Sequence, residues 1–570
     1  AVGRAPEALE LGRRALSVLE AAGRPEAVRA RIGIAYALQQ SGQRQEALAA
    51  YDDLIAAAGA LNDQQALQFA YCNRAELSRG SGDLAEAEED LRRAIEGLES
   101  RRSGEHTLPL ERAGFLEAQV AAYDRLILLL ADSYRGLEGF EVAERFHARA
   151  FLDTLRRRSR GAGRDPSPSL RRRRNGLLEE LGAVRLAIEQ RKEPPPAGNG
   201  TDRLRRRLEE LEVEWAQLQL ELQGRGGTTA AVSAFQALPR AEVQGSLRPG
   251  EALVGYWVSE GRIFAWALSP SQARWIQLPL PREELAATVR TYLEPLLFPR
   301  RAEDLALQGK EGQHLEAGRR LYSWLIAPLP RFVHEARTLL LVPDDVLNTL
   351  PFEALVKDCR DPRPESSAAI HGVYRSCTFL GLEQELVYNP SAGALEALRR
   401  RPRPDGPEGT LLSMSPSLLS SPSSAPAELR SQLDRLANLQ YAQAEARSVA
   451  QLFDKPRVLL GKEASESRFK AEAAPYRWIH LATHGLVRDD LPMTSGLLLA
   501  ASGEEDGLLQ AYEVLGLELS AEMVTLSACR SGRGRLQRGE GVVGLSQAFL
   551  QAGARSVLVS RWDVDDRSTA

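Results

Sequence analysis

A six-residue pattern, Gly-x-x-x-Glu-Ala, recurs near the start of the chain and limits what its first part can fold into. The copies begin at Gly3, Gly42 and Gly82, so they are spaced by 39 and 40 residues. Each copy opens an apolar stretch with helical period, and a repeat of this length is typical of stacked helical hairpins. The glycine supplies the turn that ends the preceding helix, and the alanine lets the neighbouring helix approach closely.

A degenerate fourth copy is predicted from Gly139 to Ala143, one residue short. We therefore predict an α-solenoid over residues 1–156, with a plain helical bundle as the alternative. The pattern resembles tetratricopeptide repeats, although their period of about 34 residues is shorter. The resemblance implies a region that binds another protein.

Two strongly charged helical stretches follow a linker rich in Gly, Pro, Ser and Arg, and they cover residues 170–191 and 201–223. The prolines and glycines at 193–200 break the helix between them. We therefore predict an antiparallel hairpin of coiled-coil type within residues 157–227. One stripe of the second stretch is apolar, and it comprises Leu204, Leu208, Leu211, Trp215, Leu218 and Leu222.

After Gly227 the pattern changes to short apolar, β-branched runs separated by helices. Such runs are typical of parallel strands that helices cover on both faces. Residues 228–570 are therefore predicted to form an α/β domain with a mostly parallel sheet. The first two runs are predicted to form a hairpin around Glu260-Gly261. The predicted strands are 252–258, 262–268, 338–342, 478–482, 523–526 and 556–559.

Three segments of this domain are predicted to be loops. Residues 399–409 are rich in Arg and Pro, and residues 413–427 are rich in Ser and Pro. Neither composition packs a core. Residues 530–538 are polar, and we expect them to form a flexible loop that leads into a helix over 542–552.

The charge of the chain disfavours two classes of partner. Its 570 residues carry a formal net charge of −4 with both signs mixed, so no global field draws it to nucleic acid or an anionic membrane. Two arginine runs, at 156–158 and 171–174, could hold phosphate or an acidic partner, but a solvated helix face is the favoured interpretation. The sequence has no apolar stretch of the roughly 18 residues that a membrane helix needs.

The four cysteines, Cys72, Cys359, Cys377 and Cys529, are widely spaced and form no Cys-x-x-Cys pair. We therefore predict neither a disulfide framework nor a zinc site. A reducing compartment, the cytoplasm, fits this usage best. The sequence begins with Ala1 rather than Met, so a removed targeting peptide stays an open alternative.

Two strand-end motifs carry the chemistry of the chain. Residues 478–485 form an apolar strand that ends in His484-Gly485, and residues 523–532 repeat this design with Cys529. Ligands of open α/β sheets bind outside the carboxyl ends of the strands, so the two side chains are predicted to meet there. An imidazole base converts a thiol to the nucleophilic thiolate. His484 is the predicted base, and then the acid that protonates the leaving amine.

These motifs resemble those of caspases, whose cysteine lies in a Gln-Ala-Cys-x-Gly context about 50 residues after the histidine. They are still more similar to the CHAT family, bacterial caspase relatives that are usually fused to tetratricopeptide repeats. The resemblance covers roughly residues 234–570. Its ordered motifs lie at 247–253, 342–355, 480–485, 526–534, 541–553 and 562–566.

The resemblance implies a cysteine endopeptidase with His484 and Cys529 as its catalytic dyad. It also implies an oxyanion hole formed by the backbone N–H groups of Gly485 and Cys529. In related enzymes the loop after the cysteine shapes the substrate cleft and often becomes ordered on activation, so a gated enzyme is expected.

Three carboxylates, Asp563, Asp565 and Asp566, are candidates for substrate selection. They follow the last predicted strand, near the place where related enzymes line the pocket for the residue before the scissile bond. Carboxylates in that pocket would favour Arg or Lys. A helix-capping role for Asp565 or Asp566 is an equally good interpretation.

The sequence supports a metal site or a nucleotide site in the same region less well than it supports a peptidase site. His480 and His484 are four residues apart, which is about 13 Å along a strand, so they cannot chelate one zinc ion. Residues 539–544 match the dinucleotide fingerprint G-x-G-x-x-G, but a polar loop precedes them instead of a strand. We therefore predict neither a metal nor a cofactor.

The predicted function is that of a protease with a protein regulator. The helical region would bind the regulator, and the α/β domain would cleave a protein substrate, in bacterial stress signalling or defence. Two alternatives are an inactive CHAT domain that serves as a peptide-binding scaffold and a repeat adaptor whose C-terminal domain supports assembly. We also expect the family's final helices to lie beyond Ala570, which would leave the domain truncated.

Overall fold

The structure is a computed structural model, and it divides the chain into two compact units. One unit is Ala1–Phe146 with Glu209–Ala237, and the other is His147–Leu208 with Leu238–Ala570. The predicted domain boundaries at residues 156 and 227 stay predictions. The structure describes residues 5–104, 109–147, 151–152, 173, 176–177, 180, 184, 204, 207, 210–211, 214, 218, 238–297, 312–359, 374–401, 410–417, 439, 441–487, 492, 495–502, 505–528, 531–532, 535–537 and 541–562.

The predicted N-terminal helical region is confirmed. Its helices α1 to α7 are Ala5–Ala21, Ala27–Gln40, Arg44–Ala60, Gln64–Ser81, Leu84–Gly104, Pro109–Asp132 and Gly136–Phe146. Five turns between them contain a residue with left-handed backbone, namely Gly23, Gly42, Asn62, Gly82 and Tyr134. Two backbone hydrogen bonds close each turn, as in Gly82 N to Arg79 O (3.1 Å) and Asp83 N to Ser78 O (3.0 Å). This arrangement satisfies the last carbonyls of each helix.

The glycines and alanines of the repeat have the roles that the pattern predicts. Gly42 and Gly82 have φ angles of 72° and 85° and lie just before α3 and α5. Ala47 and Ala87, the alanines of the same copies, are completely buried. A larger side chain at either alanine would have to displace a packed neighbour.

The predicted fourth copy is displaced from its structural position. Gly139 lies inside α7, and the left-handed residue of the preceding turn is Tyr134, with φ of 58°. Glu138 and Gly139 lie four and five residues after Tyr134, as Glu46 and Ala47 lie four and five residues after Gly42. They are therefore the equivalent residues of the fourth copy. The sequence pattern misplaced this copy because a tyrosine stands where the other copies have glycine.

The second unit has an α/β fold. In its described part the helices α8 to α16 are Arg240–Ser246, Arg282–Leu297, Gln313–Leu325, Arg331–His334, Ala392–Arg399, Ala442–Ala450, Glu466–Glu472, Ala511–Val514 and Leu545–Ala552. The strands β1 to β17 are Glu251–Val258, Ile263–Leu268, Ala273–Leu278, Thr338–Val342, Val356–Cys359, Cys377–Phe379, Glu385–Tyr388, Thr410–Ser415, Lys455–Leu460, Trp478–Ala482, Gly485–Leu486, Gly496–Leu498, Leu508–Gln510, Met523–Ser527, Arg535–Gln537, Gly541–Val543 and Ser556–Val559.

The first sheet has the strand order β3-β2-β1-β4-β7. The predicted hairpin is confirmed, since β1 and β2 pair antiparallel with Val258 opposite Ile263. β4 pairs parallel with both β1 and β7. Both faces of β1 and β2 are almost completely buried, which is why these strands are apolar at nearly every position.

The second sheet has the order β17-β14-β10-β8-β9, and all of its strands are parallel. Alternate residues of β8 and β10, such as Met414 and Leu481, pack in one core with Phe469 of α14 and Phe549 of α16. On the other face, the Ser413 hydroxyl donates to a backbone carbonyl of α13, at Ala446 (3.0 Å). Helices therefore cover both faces of this sheet, as predicted.

Two predicted boundaries were wrong. β8 continues through Ser413 to Ser415, where a loop was expected, because its serines are buried in the sheet with their neighbours. The predicted helix over 542–552 begins only at Leu545, because the residues just before it form β16. Most of the other predicted loop residues, in 402–409 and 418–427, lie outside the described residues.

The charged stretches are helical wherever the structure describes them. Arg207 of the second stretch forms hydrogen bonds of 2.9 Å and 2.7 Å to Glu180 of the first, as expected for neighbouring helices. Leu211 and Leu218 of the predicted apolar stripe are completely buried. The stripe residues Leu208, Trp215 and Leu222 and most of the two arginine runs lie outside the described residues.

One prediction about cysteine is corrected by the structure. Cys359 of β5 and Cys377 of β6 form a disulfide, although no disulfide framework was predicted. The two residues are directly opposite each other across an antiparallel pair, with their Cα atoms 4.1 Å apart. Their separation of 18 residues gave no sign of this pairing, because strand register brings them together.

Membrane insertion was not expected from the sequence. Among the residues that the structure describes, none of the helices has both the length and the apolar character that crossing a bilayer requires.

Candidate active site

The two strand-end motifs lie on neighbouring strands. β10 and β14 pair in parallel with Ala482 opposite Ser527, and the Thr483 N–H donates to the Ser527 carbonyl at 3.0 Å. His484 follows directly at this edge of the sheet. Cys529 is two residues beyond Ser527 in the sequence and lies outside the described residues. The dyad therefore stays a prediction, although the register of the two strands agrees with it.

Backbone contacts hold His484 beside a small antiparallel sheet made of β11, β12 and β13. The carbonyl of His484 accepts a hydrogen bond of 3.0 Å from Leu498 N, and the Thr483 hydroxyl donates to the Leu498 carbonyl. His484 is 8% exposed and Thr483 is 3% exposed. The strand end is therefore fixed from one side by β14 and from the other by β12.

Gly485 begins β11 and lies opposite Leu497 of β12. It is only partly exposed, and it joins the parallel sheet to the small antiparallel sheet. Its predicted role as an oxyanion donor stays a prediction.

The segment after Cys529 differs from the expected flexible loop. β15 and β16 form an antiparallel hairpin in which Arg535 lies opposite Val543. Two glycines of the pattern at 539–544 lie in this part of the fold, since Gly541 begins β16 and Gly544 directly precedes α16. The sequence analysis missed these strands because each has only three residues.

His480 serves the interior of the sheet. It is 4% exposed, and its Nε2 lies 3.2 Å from Oε1 of Glu445, a buried residue of α13. His480 therefore contacts the helix that covers one face of β10, whereas His484 lies past the end of that strand.

A buried charge cluster, formed by Lys470, Glu466, Glu505 and Glu513, supports the small sheet beside His484. The Lys470 ammonium lies 2.6 Å, 2.7 Å and 2.9 Å from carboxylate oxygens of Glu466, Glu505 and Glu513. The second Glu466 oxygen accepts a hydrogen bond of 2.8 Å from the N–H of Gly507, which precedes β13. The three carboxylates have the spacing of a metal site, but the Lys470 ammonium is the cation that they surround.

Burial and the nearby Glu513 carboxylate raise the pKa of Glu466 to about 8, against the opposing effect of Lys470. The pKa of Glu513 is raised as well, mainly by burial. The folded chain therefore holds more protons than the unfolded chain between the ordinary carboxyl pKa of 4.5 and about 8. Stability consequently falls as the pH rises through this window.

We expect the free energy of unfolding to fall by up to about 1.4 kcal/mol per pH unit as the pH rises through this window. Urea denaturation from pH 5 to pH 9 measures the slope. The Glu466→Gln variant, which is neutral at every pH, should show a flatter dependence. An equal slope in both proteins would contradict the assignment to Glu466.

Asp563, Asp565 and Asp566 lie outside the described residues. β17 ends at Val559, where the sequence predicted, and the description continues to Trp562. The role of the three aspartates in substrate selection stays a prediction.

The architecture of the second unit is that of an α/β domain with its candidate site at the carboxyl edge of a parallel sheet. Residues 315–570 match the family model of the CHAT domain. The match to this family confirms the resemblance seen in the strand-end motifs.

A second comparison found a tetratricopeptide repeat protein. A stretch of 57 residues is 46% identical to tetratricopeptide repeat protein 28 of Mus musculus, which corresponds to 10% of this chain and 2% of that protein. The chain thus matches a very small part of that relative's length. The similarity agrees with the predicted fusion of tetratricopeptide-like repeats to a CHAT domain.

Among solved structures, the crystal structure of the Saccharomyces cerevisiae separase–securin complex aligns with this chain at a TM-score of 0.32 and 11% identity. The alignment covers 96% of this chain and 50% of that chain. A TM-score this low carries no argument about fold or activity.

Proposed function

We propose that this chain is a caspase-like cysteine endopeptidase in which Cys529 is the nucleophile and His484 transfers the protons. The observation that supports the proposal best is the register of β10 and β14, with Ala482 opposite Ser527. Parallel strands in this register end at the same edge of the sheet. A histidine and a cysteine that follow those ends are thus suited to act as a pair.

The proposed reaction proceeds in two halves. His484 accepts the thiol proton as the Cys529 sulfur bonds to the carbonyl carbon of the substrate peptide. The resulting tetrahedral intermediate collapses, the C–N bond breaks, and His484 donates that proton to the leaving amine. Water then attacks the thioester and gives a proton to His484. The C–S bond breaks, and the proton returns to the thiolate.

Backbone N–H groups of Gly485 and Cys529 are the proposed donors to the oxyanion of both tetrahedral intermediates. The contacts of His484 support this part of the proposal, because a reaction site needs groups that are held before the substrate arrives. The His484 carbonyl is bonded to Leu498 N at 3.0 Å, and Gly485 is paired with β12. The backbone at His484 and Gly485 is therefore held in place by β12.

The proposal extends to a protein regulator that binds the helical repeats and to a protein substrate. Tetratricopeptide-like repeats are surfaces for other proteins, and a CHAT domain joined to them suits a protease under the control of a partner. We place the chain in the cytoplasm of a bacterial cell, where a signalling or defence role would suit it. The Cys359–Cys377 pair would be reduced there.

The aspartates Asp563, Asp565 and Asp566 are proposed to favour a basic residue before the scissile bond. A carboxylate in a desolvated pocket gains most from a paired guanidinium or ammonium group. Substrates with Arg or Lys at that position should therefore be cleaved faster than substrates with Gln. Equal rates would contradict this part of the proposal and leave the dyad unaffected.

The test of the proposed function is a cleavage assay on the complete chain and its Cys529→Ala variant. Both proteins are incubated with a mixed peptide library, with and without cell extract that supplies a regulator, and new peptide ends are read by mass spectrometry. We expect the wild-type chain to cleave peptides and the Cys529→Ala variant to cleave none. Cleavage that persists in Cys529→Ala would contradict the mechanism, and no cleavage under any condition would favour a peptide-binding scaffold.

A further inference from the structure

Hydrogen bonds fix the backbone on both sides of position 529. The Ser560 hydroxyl donates to the carbonyl of Ala528 at 2.5 Å. The Ser531 hydroxyl donates to the carbonyl of Leu526 at 3.0 Å and accepts from the Ser560 N–H at 3.2 Å. The Gly532 N–H donates to the Ser560 carbonyl at 2.8 Å. Ser560, which directly follows β17, thus bonds to the chain both before and after Cys529.

Packing leaves little room for change in this network. Ser531 is completely buried. A Cβ atom at Gly532 would lie 2.6 Å from Cγ2 of Val559 and 3.1 Å from the Ser560 carbonyl oxygen, so glycine is the residue that allows this close approach. Ser531 and Gly532 belong to the Cys-Arg-Ser-Gly sequence, and these contacts explain why serine and glycine stand there.

We propose that Ser560 and Ser531 are positioning residues that orient the nucleophile segment of the proposed endopeptidase. The inference rests on the proposed function. Ser560 orients the peptide unit between Ala528 and Cys529 through its hydrogen bond to the Ala528 carbonyl. Ser531, which follows the cysteine, bonds back to the carbonyl of Leu526, which precedes it. Neither residue is assigned any contact with the substrate.

The planarity of the peptide bond gives Ser560 its effect. The carbonyl of Ala528 and the N–H of Cys529 belong to one rigid unit. A hydrogen bond that fixes the direction of this carbonyl therefore also fixes the direction of the proposed oxyanion donor. Without the bond, the unit gains rotational freedom, and part of the preorganisation that stabilises the transition state is lost.

A matched control lies on the same strand. Ser556, at the start of β17, donates its hydroxyl to the carbonyl of Glu522 at 2.8 Å, just before β14. It therefore makes the same kind of bond between the same two strands as Ser560, but at the edge of the sheet away from His484. A purely structural role predicts similar behaviour for Ser556→Ala and Ser560→Ala.

The experiment measures two rates in the complete chain. The first is the rate at which iodoacetamide alkylates Cys529, read by mass spectrometry of the peptide that contains it. The second is peptide cleavage, separated into kcat and KM. We expect Ser560→Ala to lower kcat by about ten-fold to a hundred-fold with KM little changed. Ser556→Ala should keep the wild-type kcat, and Ser560→Thr, which retains the hydroxyl, should recover most of it.

Three outcomes decide between the inference and the function on which it rests. A kcat that falls in Ser560→Ala and not in Ser556→Ala supports the inference. If kcat is unchanged in Ser560→Ala, or falls equally in Ser560→Ala and Ser556→Ala, the inference is overturned. This conclusion requires that iodoacetamide alkylates Cys529 faster in the wild-type chain than in His484→Ala. If alkylation of Cys529 does not depend on His484, the proposed dyad fails and the inference fails with it. Ser531→Ala is a second variant, with thermal unfolding as the check on folding.

Discussion

Replacing His484 with alanine is expected to lower kcat for peptide cleavage by about 10⁴-fold or more, as removal of the base from other nucleophile–base pairs does. The variant retains the thiol but lacks the group that accepts its proton and later protonates the leaving amine. The measurement is kcat on a peptide that the wild-type chain cleaves. Residual cleavage would have to come from binding and the oxyanion donors alone.

His480 offers a matched control for this prediction. It is a buried histidine four residues earlier, on β10 itself, but it faces Glu445 instead of the sheet edge. The His480→Gln variant should lower stability, because it disturbs a buried polar contact, and should retain most of the cleavage rate per folded molecule. Similar losses of kcat in both variants would show that the His484 effect comes from damage to the sheet.

Lys470→Met is expected to lower the free energy of unfolding by about 3–5 kcal/mol, which is the usual cost of removing one partner from a buried ion cluster. The substitution leaves the carboxylates of Glu466, Glu505 and Glu513 close together without their cation. Urea denaturation at pH 9, above the pKa of about 8 of Glu466, gives the change. Because Glu466 is bonded to Gly507 beside β13, cleavage should fall together with stability.

A surface pair provides the comparison for Lys470. Lys357 Nζ lies 2.7 Å from Oε2 of Glu383, and both side chains are more than 40% exposed. Lys357→Met should therefore cost less than about 1 kcal/mol, because water screens an exposed ion pair. Equal losses in Lys357→Met and Lys470→Met would contradict the account of the buried cluster.

Hydrophobic patterning predicted six of the strands in the two large sheets of the second unit, but not β3, β7, β8 and β9. The strands at 338–342 and 478–482 occur at the predicted residues because their positions are buried on both faces, or nearly so, and short continuous apolar runs have few other uses. The strand at 556–559 also occurs where it was predicted, although it lies at the edge of its sheet with alternate residues exposed. The repeat was predicted from Gly42 and Gly82 because a left-handed turn strongly favours glycine. Its fourth copy was predicted at a displaced position because Tyr134 adopts that conformation instead of a glycine.

Features that depend on tertiary register could not be read from the sequence. Three features join residues that are distant in sequence: the Cys359–Cys377 pair, the contacts of Glu505 and Glu513 with Lys470, and the bonds from Ser560 to the chain on both sides of Cys529. Serine and glutamate are common residues with many surface roles, so composition and spacing gave no signal for these contacts. Only the pairing of β14 with β17 brings Ser560 to the nucleophile segment.

The central claim, that Cys529 is a nucleophile activated by His484, is tested most directly by covalent labelling. A mixture of peptide acyloxymethyl ketones, which react with peptidase thiolates, is added to the complete chain, and the labelled cysteine is identified by mass spectrometry. We predict a label on Cys529 in preference to Cys72, Cys359 and Cys377, and its loss in His484→Ala. A label on other cysteines in proportion to their exposure, or one that His484→Ala leaves unchanged, would contradict the account.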